Sequence, residues 1–362
     1  MARPSRRGRG AVTIEDVARA AGVSAMTVSR VINQGKNVRD STRTAVLEAI
    51  ERLNYSPNVA ARSLAAGETT HIGLLYANPS AAYLAQFLIG GLHAARSASV
   101  HLVIESCESE DPDEQAEVIR RFATSEVEGV ILPPPLSESA PILAELGGLR
   151  IPVVTIAGPR RNEGLNVRID DEAAAVEMTR YLIELGHRRI GFIKGHPNIV
   201  ASHERYRGFC SALAEAGFDP DEAPVEQGYF TYRSGLTAGE RLLSRPHPPT
   251  AIFASNDDMA AATVSVAHRR GFNVPNDLSI VGFDDTALAT SVWPELTTVK
   301  QPIAAMAEAA VELLITDLRR RRSDAPHKFT ERVLSHALII RESSAPPPAA
   351  SKIKKAKAVR GA

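Results

Sequence analysis

Two acidic runs, Asn256-Asp257-Asp258 and Asp284-Asp285, hold the carboxylates of this 362-residue chain best placed to do chemistry. Paired carboxylates can flank a glycosidic bond, one as acid and the other as base or nucleophile. The same groups serve as well to hold sugar hydroxyls without cutting anything. The other signatures of catalysis are missing from the sequence. It has no G-x-x-x-x-G-K-[ST] phosphate cradle and no G-x-S-x-G elbow. Of the ten histidines, His196 and His203 lie nearest a pocket, and no H-E-x-x-H or C-x-x-C accompanies them. The expectation is a binding protein with no catalytic residue, no metal site and no cofactor. Cys107 and Cys210, the two cysteines, read as small buried apolar residues rather than a disulfide framework.

The elements that must position those carboxylates alternate. Strand-like segments are 71–76, 100–105, 129–132, 152–156, 189–194, 251–254 and 278–283. Helical patterns lie between them, over 84–98, 112–125, 172–185, 205–216, 259–270 and 303–320. Such alternation predicts α/β architecture, parallel sheets with helices on both faces. About 270 residues suit two lobes better than one sheet. Ligands of open α/β sheets bind beyond the carboxyl ends of the strands. The residues there are Asn78 and Tyr83, Glu108 and Ser109, Ala157, 196–205, Asn256 and Asp257, and Asp284 and Asp285, with Phe230 in a nearby loop. Carboxylate, amide and guanidinium bind sugar hydroxyls, and an aromatic ring packs on a sugar's apolar face. Plainer roles compete: a turn cap for Asp284, a helix N-cap for Asn256, a solvated helix position for Arg205.

The opening of the chain has a different character. Net charge is zero, with 42 basic and 42 acidic side chains, but the distribution is uneven. Residues 1–66 carry 11 Lys/Arg against 5 Asp/Glu, and residues 343–362 carry 5 basic groups and no acid. Basic ends on an acidic body point to a polyanion partner for one part only. Residues 1–12 read as a basic disordered arm. Three short helices follow. Thr13 caps the first, which buries Ile14, Val17, Ala18 and Ala21, and Gly22 breaks it. Ser24 caps the second, with Val28, Val31 and Ile32 inward. Ser41 caps the third, with Ala45, Val46, Ile50 and Leu53 inward. A tight turn after the first helix makes this a helix-turn-helix. The outer face of the second helix is small and polar with no acid, which suits a DNA major groove.

The string Val17-Ala18-x-x-Ala21-Gly22-Val23-Ser24-x-x-Thr27-Val28-Ser29-Arg30-Val31-x-Asn33, followed by Tyr55-x-Pro57-Asn58-x-x-Ala61-x-x-Leu64, resembles the lactose/galactose repressor (LacI/GalR) family. The resemblance extends through Leu185-Gly186-His187-Arg188, Phe253-Ala254-x-Asn256-Asp257, Ser279-Ile280-Val281-Gly282-Phe283-Asp284-Asp285 and Leu296-Thr297-Thr298-Val299, covering about 13–342. It implies a helix-turn-helix domain over 13–57, a hinge helix and linker over 58–69, and a two-lobed, periplasmic-binding-protein-like core over 70–342. The chain would cross between lobes near 165, 295 and 330. The resemblance also implies residue roles. Ala25, Met26 and Arg30 would read bases in the major groove. Thr13, Ser24, Thr27, Asn33 and Tyr55 would hold phosphates. The hinge helix would start at Asn58, with Ala61 and Leu64 in the minor groove. Arg205, Asn256 and Asp284 would contact a small-molecule effector with Phe230 stacked on it, and Asn78, Tyr83 and Ser202 would assist.

The implied protein is a ligand-responsive transcriptional regulator, a repressor of sugar uptake or catabolism genes that binds a pseudo-palindromic operator as a homodimer. The alternative is a free-standing sugar-binding or sugar-processing protein. Two departures from the sugar-binding members bear on the effector. The fourth strand is followed by Ala157-Gly158-Pro159 where many have an acid, and the loop after the first strand reads Asn78-Pro79-Ser80-Ala81-Ala82-Tyr83 without an Asp. A sugar, a sugar phosphate and a nucleobase all stay open. No leucine heptad follows Arg341, so a dimer is expected, with 343–362 as a disordered basic tail. No apolar run of 18 residues and no signal peptide are present, which predicts a cytoplasmic protein with no membrane partner.

Overall fold

The computed structural model describes residues 13–32, 38–53, 55, 70–158, 164–323 and 329–348. They belong to two compact units that meet in sequence between Thr69 and Thr70.

In the first unit, α1 (Ile14–Ala21), α2 (Ala25–Ile32) and α3 (Asp40–Arg52) enclose a small core. Thr13 and Asp16 form the capping box that the sequence announces. The Asp16 N–H donates to Thr13 Oγ1 at 3.3 Å, and the Thr13 N–H donates to Asp16 Oδ2 at 3.0 Å. Gly22 ends α1 with φ 67°, a left-handed conformation that carries no Cβ penalty for glycine. Ser24 Oγ accepts the Thr27 N–H at 3.2 Å and so opens α2. Val17, Val28, Val31 and Val46 are buried together, and Arg52 donates to the Ala20 carbonyl at 3.3 Å, tying α3 to α1. One detail differs from expectation: α3 begins at Asp40 with Arg39 as N-cap, so Ser41 lies inside the helix rather than capping it.

The second unit runs β1 (His71–Tyr76), α4 (Ala81–Ala98), β2 (His101–Ser106), α5 (Pro112–Ala123), β3 (Val127–Leu132), α6 (Ala140–Gly148), β4 (Val153–Ile156) and β5 (Leu165–Arg168). It continues through α7 (Asp171–Glu184), β6 (Ile190–Lys194), α8 (Val200–Glu215), β7 (Val225–Gln227), α9 (Tyr232–Leu243), β8 (Ala251–Ala254), α10 (Asp257–Arg269), β9 (Ser279–Asp284), α11 (Ala287–Ser291) and β10 (Thr297–Lys300). It closes with α12 (Ile303–Arg322), β11 (Thr330–Val333) and β12 (Ala337–Ile339).

Two six-stranded sheets result, ordered β11-β5-β4-β3-β1-β2 in lobe 1 and β12-β10-β9-β8-β6-β7 in lobe 2. Among the described residues, every pairing is parallel except β10 with β12. The strands buried on both faces, such as Ala251–Ala254 and Ser279–Asp284, are the continuous apolar runs that a covered parallel sheet requires. The chain passes between lobes three times: after β5, between β10 and α12, and between β11 and β12. These crossings fall a few residues beyond the positions the resemblance implies. Helix α12 returns to lobe 1 and packs on α4 so closely that a Cβ at Gly90 would lie 2.2 Å from the Ala304 carbonyl oxygen. Close packing is therefore what Gly90 is for.

The tail begins later than expected. Ser343 is fully buried: its Oγ donates to the Ile280 carbonyl and accepts the Thr297 N–H at 2.9 Å. Ala345 pairs with Ser279 through its N–H at 3.0 Å and takes His187 Nε2 on its carbonyl at 3.0 Å. Residues 343–348 are thus a strap on sheet 2, because polar Ser343 and Ser344 satisfy backbone and hydroxyl groups that the sheet margin leaves open. The expected arm 1–12, the hinge 58–69 and the basic tail from 349 onward lie outside the described residues.

Candidate functional site

A cleft opens at the carboxyl ends of the strands of both sheets, where their order reverses. Lobe 2 supplies its charge. Helix α8 carries Arg205, which is buried. Arg205 Nε donates to Asp171 Oδ1 at 2.8 Å, and Nη1 donates to the Ser255 carbonyl at 2.5 Å. The guanidinium lies 3.6 Å from the Phe283 ring centroid and 5.7 Å from that of Phe230. Asp284 ends β9; its Oδ1 accepts Gln301 Nε2 at 2.6 Å and stands 3.7 Å from Arg205 Nη1. Asn256 caps α10 by accepting the Met259 N–H at 3.0 Å and donates from Nδ2 to the Phe230 carbonyl at 2.9 Å.

Lobe 1 supplies neutral groups. Asn78 accepts the Ser80 N–H at 2.9 Å and donates to the Pro134 carbonyl at 3.2 Å. Ser80 caps α4 and reaches across the cleft to Asp258 Oδ2 at 2.7 Å. Tyr83 and Ala157 complete this wall.

Backbone strain gathers here. Ala157 (φ 49°), Phe230 (φ 60°) and Asp284 (φ 111°) all line the cleft in conformations that side-chain-bearing residues rarely adopt. Phe230 holds its conformation because its ring lies against the Gly195 backbone, where any Cβ would collide with it. The electrostatics are acidic. Burial pushes the Asp284 carboxyl up, opposed by Arg205 and by the Gln301 hydrogen bond. Burial, reinforced by the charge of Asp284, lifts Asp257 well above the usual range, while Thr298 and Thr286 hydrogen bonds pull the other way. Asp171 is raised by burial and held back by Arg205. Burial also raises the Tyr83 phenol.

Of the residues expected around an effector, the structure brings Asn78, Tyr83, Arg205, Phe230, Asn256 and Asp284 to one cleft. Ser202 is buried beside the lining Ala201 and does not itself line it. A solvated role for Arg205 is excluded by its burial, whereas Asn256 does cap its helix and also faces the cleft. Asp285 turns away, with Oδ1 accepting from Arg341 Nη2 at 2.6 Å. The sequence reading missed Gln301, Ser80 and Asp171, and it singled out Asp258 as a carboxylate without its partner Ser80. Thr297-Thr298-Val299 is a β-branched run, and taking it as a strand would have set Gln301 at its carboxyl end.

On the first unit, Met26 is 65% exposed, and Arg30 Nη2 approaches Met26 Sδ at 3.7 Å, so both share the outer face of α2. Ser24 and Thr27 link hydroxyls at 2.9 Å beside Ala25. Thr13 stands at the start of α1, and Tyr55 packs on the core. Asn33, Asn58, Ala61 and Leu64 lie outside the described residues.

Two family models match: "Bacterial regulatory proteins, lacI family" over residues 13–58, and "Periplasmic binding protein-like domain" over 179–344. Catabolite control protein A of Priestia megaterium is 37% identical over 326 residues, which are 88% of this chain and 97% of that protein. The chain belongs to the LacI family. The HTH-type transcriptional repressor PurR of Edwardsiella ictaluri is 36% identical across 86% of this chain and 92% of its own. Among solved structures, a transcriptional regulator CelR–cellobiose complex matches with TM-score 0.68 at 32% identity, over 92% of this chain and 99% of that one. The lac repressor dimer bound to operator and the anti-inducer ONPF matches with TM-score 0.69 at 26% identity, over 93% and 100%. This LacI-family chain is accordingly a DNA-binding transcriptional regulator with a helix-turn-helix unit and a two-lobed body. Its named relatives are regulators rather than enzymes. The match spans both units, so the alternative of a free-standing sugar-binding protein falls.

Proposed function

We propose that this regulator is a cytoplasmic repressor whose cleft binds a neutral sugar, and that occupancy of the cleft sets the affinity of a homodimer for a pseudo-palindromic operator. The observation that carries the sugar reading is the convergence of Arg205, Asn256, Asp284 and Phe230 on one cleft. Two buried carboxylates flank the single guanidinium there, Asp171 at 2.8 Å and Asp284 at 3.7 Å from Arg205. The Arg205 guanidinium is already bonded to Asp171 and to the Ser255 carbonyl, and Asp284 stands beside it on the cleft wall, so a neutral polyol is favoured over a sugar phosphate. No acid follows β4, and the carboxylate that meets the lobe 1 wall is Asp258 of lobe 2, which accepts from Ser80 at 2.7 Å. The cellobiose named in the CelR complex, a neutral sugar, supports the same class.

In the first unit, Arg30 and Met26 form the reading face of α2, Ala25 lies beside them, and Thr13, Ser24, Thr27 and Tyr55 hold phosphates. An effector changes operator affinity only through different affinities for the two lobe arrangements. Calorimetric titration of the full chain with cellobiose, glucose, glucose 6-phosphate and hypoxanthine tests this. Binding of a neutral sugar with a shift in operator affinity is expected. Binding of only the phosphate or the base would overturn the sugar reading and leave the regulator intact.

A further inference from the structure

Helix α8 carries the charge at the heart of the cleft, yet its own start is incomplete. A helix begins with N–H groups that no earlier turn can accept, and a Ser, Thr, Asp or Asn at the N-cap normally satisfies one. The N-cap here is Ile199, which has no side chain able to do so. Four other helices that begin at the cleft side are capped by their own N-cap side chains, α4 by Ser80, α7 by Asp170, α9 by Thr231 and α10 by Asn256, whereas α11 and α12 have no side-chain cap. For α8 the acceptor comes from lobe 1. Glu138 ends the short 3-10 turn Leu136–Glu138, which follows β3. Its carboxylate takes the Val200 N–H on both oxygens, at 2.9 and 3.1 Å. A carboxylate at this position also meets the positive end of the helix dipole.

Two further polar ties join the lobes at the rim. Ser80 donates to Asp258 at 2.7 Å, and Gln86 Nε2 donates to the Asp285 carbonyl at 3.2 Å. Neither bears on α8. The Glu138 bond is the one that connects lobe closure to the turn holding Ile199, Ala201 and, one turn on, Arg205, all of which line the cleft.

We infer that Glu138 is a positioning residue for this cleft, a cap lent by one lobe to the effector-binding helix of the other. Closing the lobes completes the start of α8, and the completed start fixes the backbone that aims Arg205. Opening the lobes withdraws the carboxylate and returns the Val200 N–H to water. The closed arrangement is therefore favoured before any effector contact is made. The consequence for affinity rests on the cleft being the effector site, while the tie itself is testable with no effector present.

Amide hydrogen exchange on the full chain, with no small molecule added, gives that test. Glu138→Leu keeps most of the side-chain volume and removes both acceptor oxygens. Val200→Pro removes the donor; proline suits the first helical position, and Ile199 before it is already extended at φ −114°, ψ 123°. Each substitution should speed exchange at Ser202–Arg205 by roughly tenfold, with α10 unchanged. Small-angle scattering should show a larger radius of gyration in both. The double variant should be no faster than either single one, because both break one bond. Additive acceleration, or unchanged exchange in Glu138→Leu, would overturn the proposal. Coupled acceleration in a chain that binds no sugar would uphold the tie and dismiss the sugar reading.

Discussion

The two units hold their candidate binding residues in opposite ways. On the helix-turn-helix, Met26 is 65% exposed and Arg30 projects beside it, while the small core beneath consists of other residues. In the body, Arg205, Asn256 and Asp284 are buried, and each is already hydrogen-bonded or ion-paired to its neighbours. The contrast follows from the partners. A duplex is read from outside, by side chains that solvent can reach. A small molecule is read by being enclosed, and whatever encloses it becomes core. On the proposed assignments, base reading by Met26 and Arg30 is separable from stability, whereas effector recognition is fused with it.

Four measurements press on that contrast. Arg205→Ala should be the most damaging. It leaves Asp171 and Asp284 buried without their cation, and breaking a buried pair from one side costs about 3–5 kcal/mol. Thermal melting of the full chain should show a lowered transition for the body; an unchanged melt would separate recognition from folding there.

Asp284→Asn is next. Burial raises the carboxyls of Asp284 and Asp257, so the folded body keeps protons that the unfolded chain has already released. Stability then falls as pH rises from the ordinary carboxylate range toward neutrality. Urea denaturation between about pH 5 and about pH 8 should show that fall in the parent chain and a flatter profile in the variant. Sugar affinity should drop by at least about tenfold. A variant that answers the sugar normally removes Asp284 from the site.

Arg30→Ala carries the opposite signature. Operator affinity should weaken by about 1–3 kcal/mol, with relaxed preference at one base in a binding-site selection, and the melt should stay where it was. A fall in both would erase the contrast. Ser80→Ala is the mildest: it removes the α4 cap and the bond to Asp258, at about 1 kcal/mol of stability. Sugar affinity should slip a few-fold while operator affinity holds.

Legibility in the sequence divides along similar lines. Thr13, Gly22 and Ser24 announce α1 and α2 because caps and left-handed turns are made by neighbours in sequence. The central strands and longer helices are visible for the same reason, as periodic runs. What stayed hidden depends on distant partners. Helix α9 contains Gly235 and Gly239, poor helix formers; a Cβ at Gly235 would lie 2.6 Å from the Met259 Cα, so packing on α10 demands the glycine. β5 spans only Leu165–Arg168, two apolar–polar alternations, which is the shortest run that can mark a strand. In the cleft, residues directly after a clear strand were found, and Gln301 was lost with its short strand β10. The Ser80–Asp258 bond joins residues 178 apart, which no local pattern can foretell.

The strap at Ser343–Pro348 gives the body a sealed hem. Ser343 stitches β9 to β10 from the side, and Ala345 fastens the same seam to the loop that bears His187. A carboxypeptidase working inward would stall where the backbone is tucked in. Shortening the gene to end at Arg341 would unpick sheet 2 at its margin. A fused reporter belongs after Pro348, where the seam is already closed.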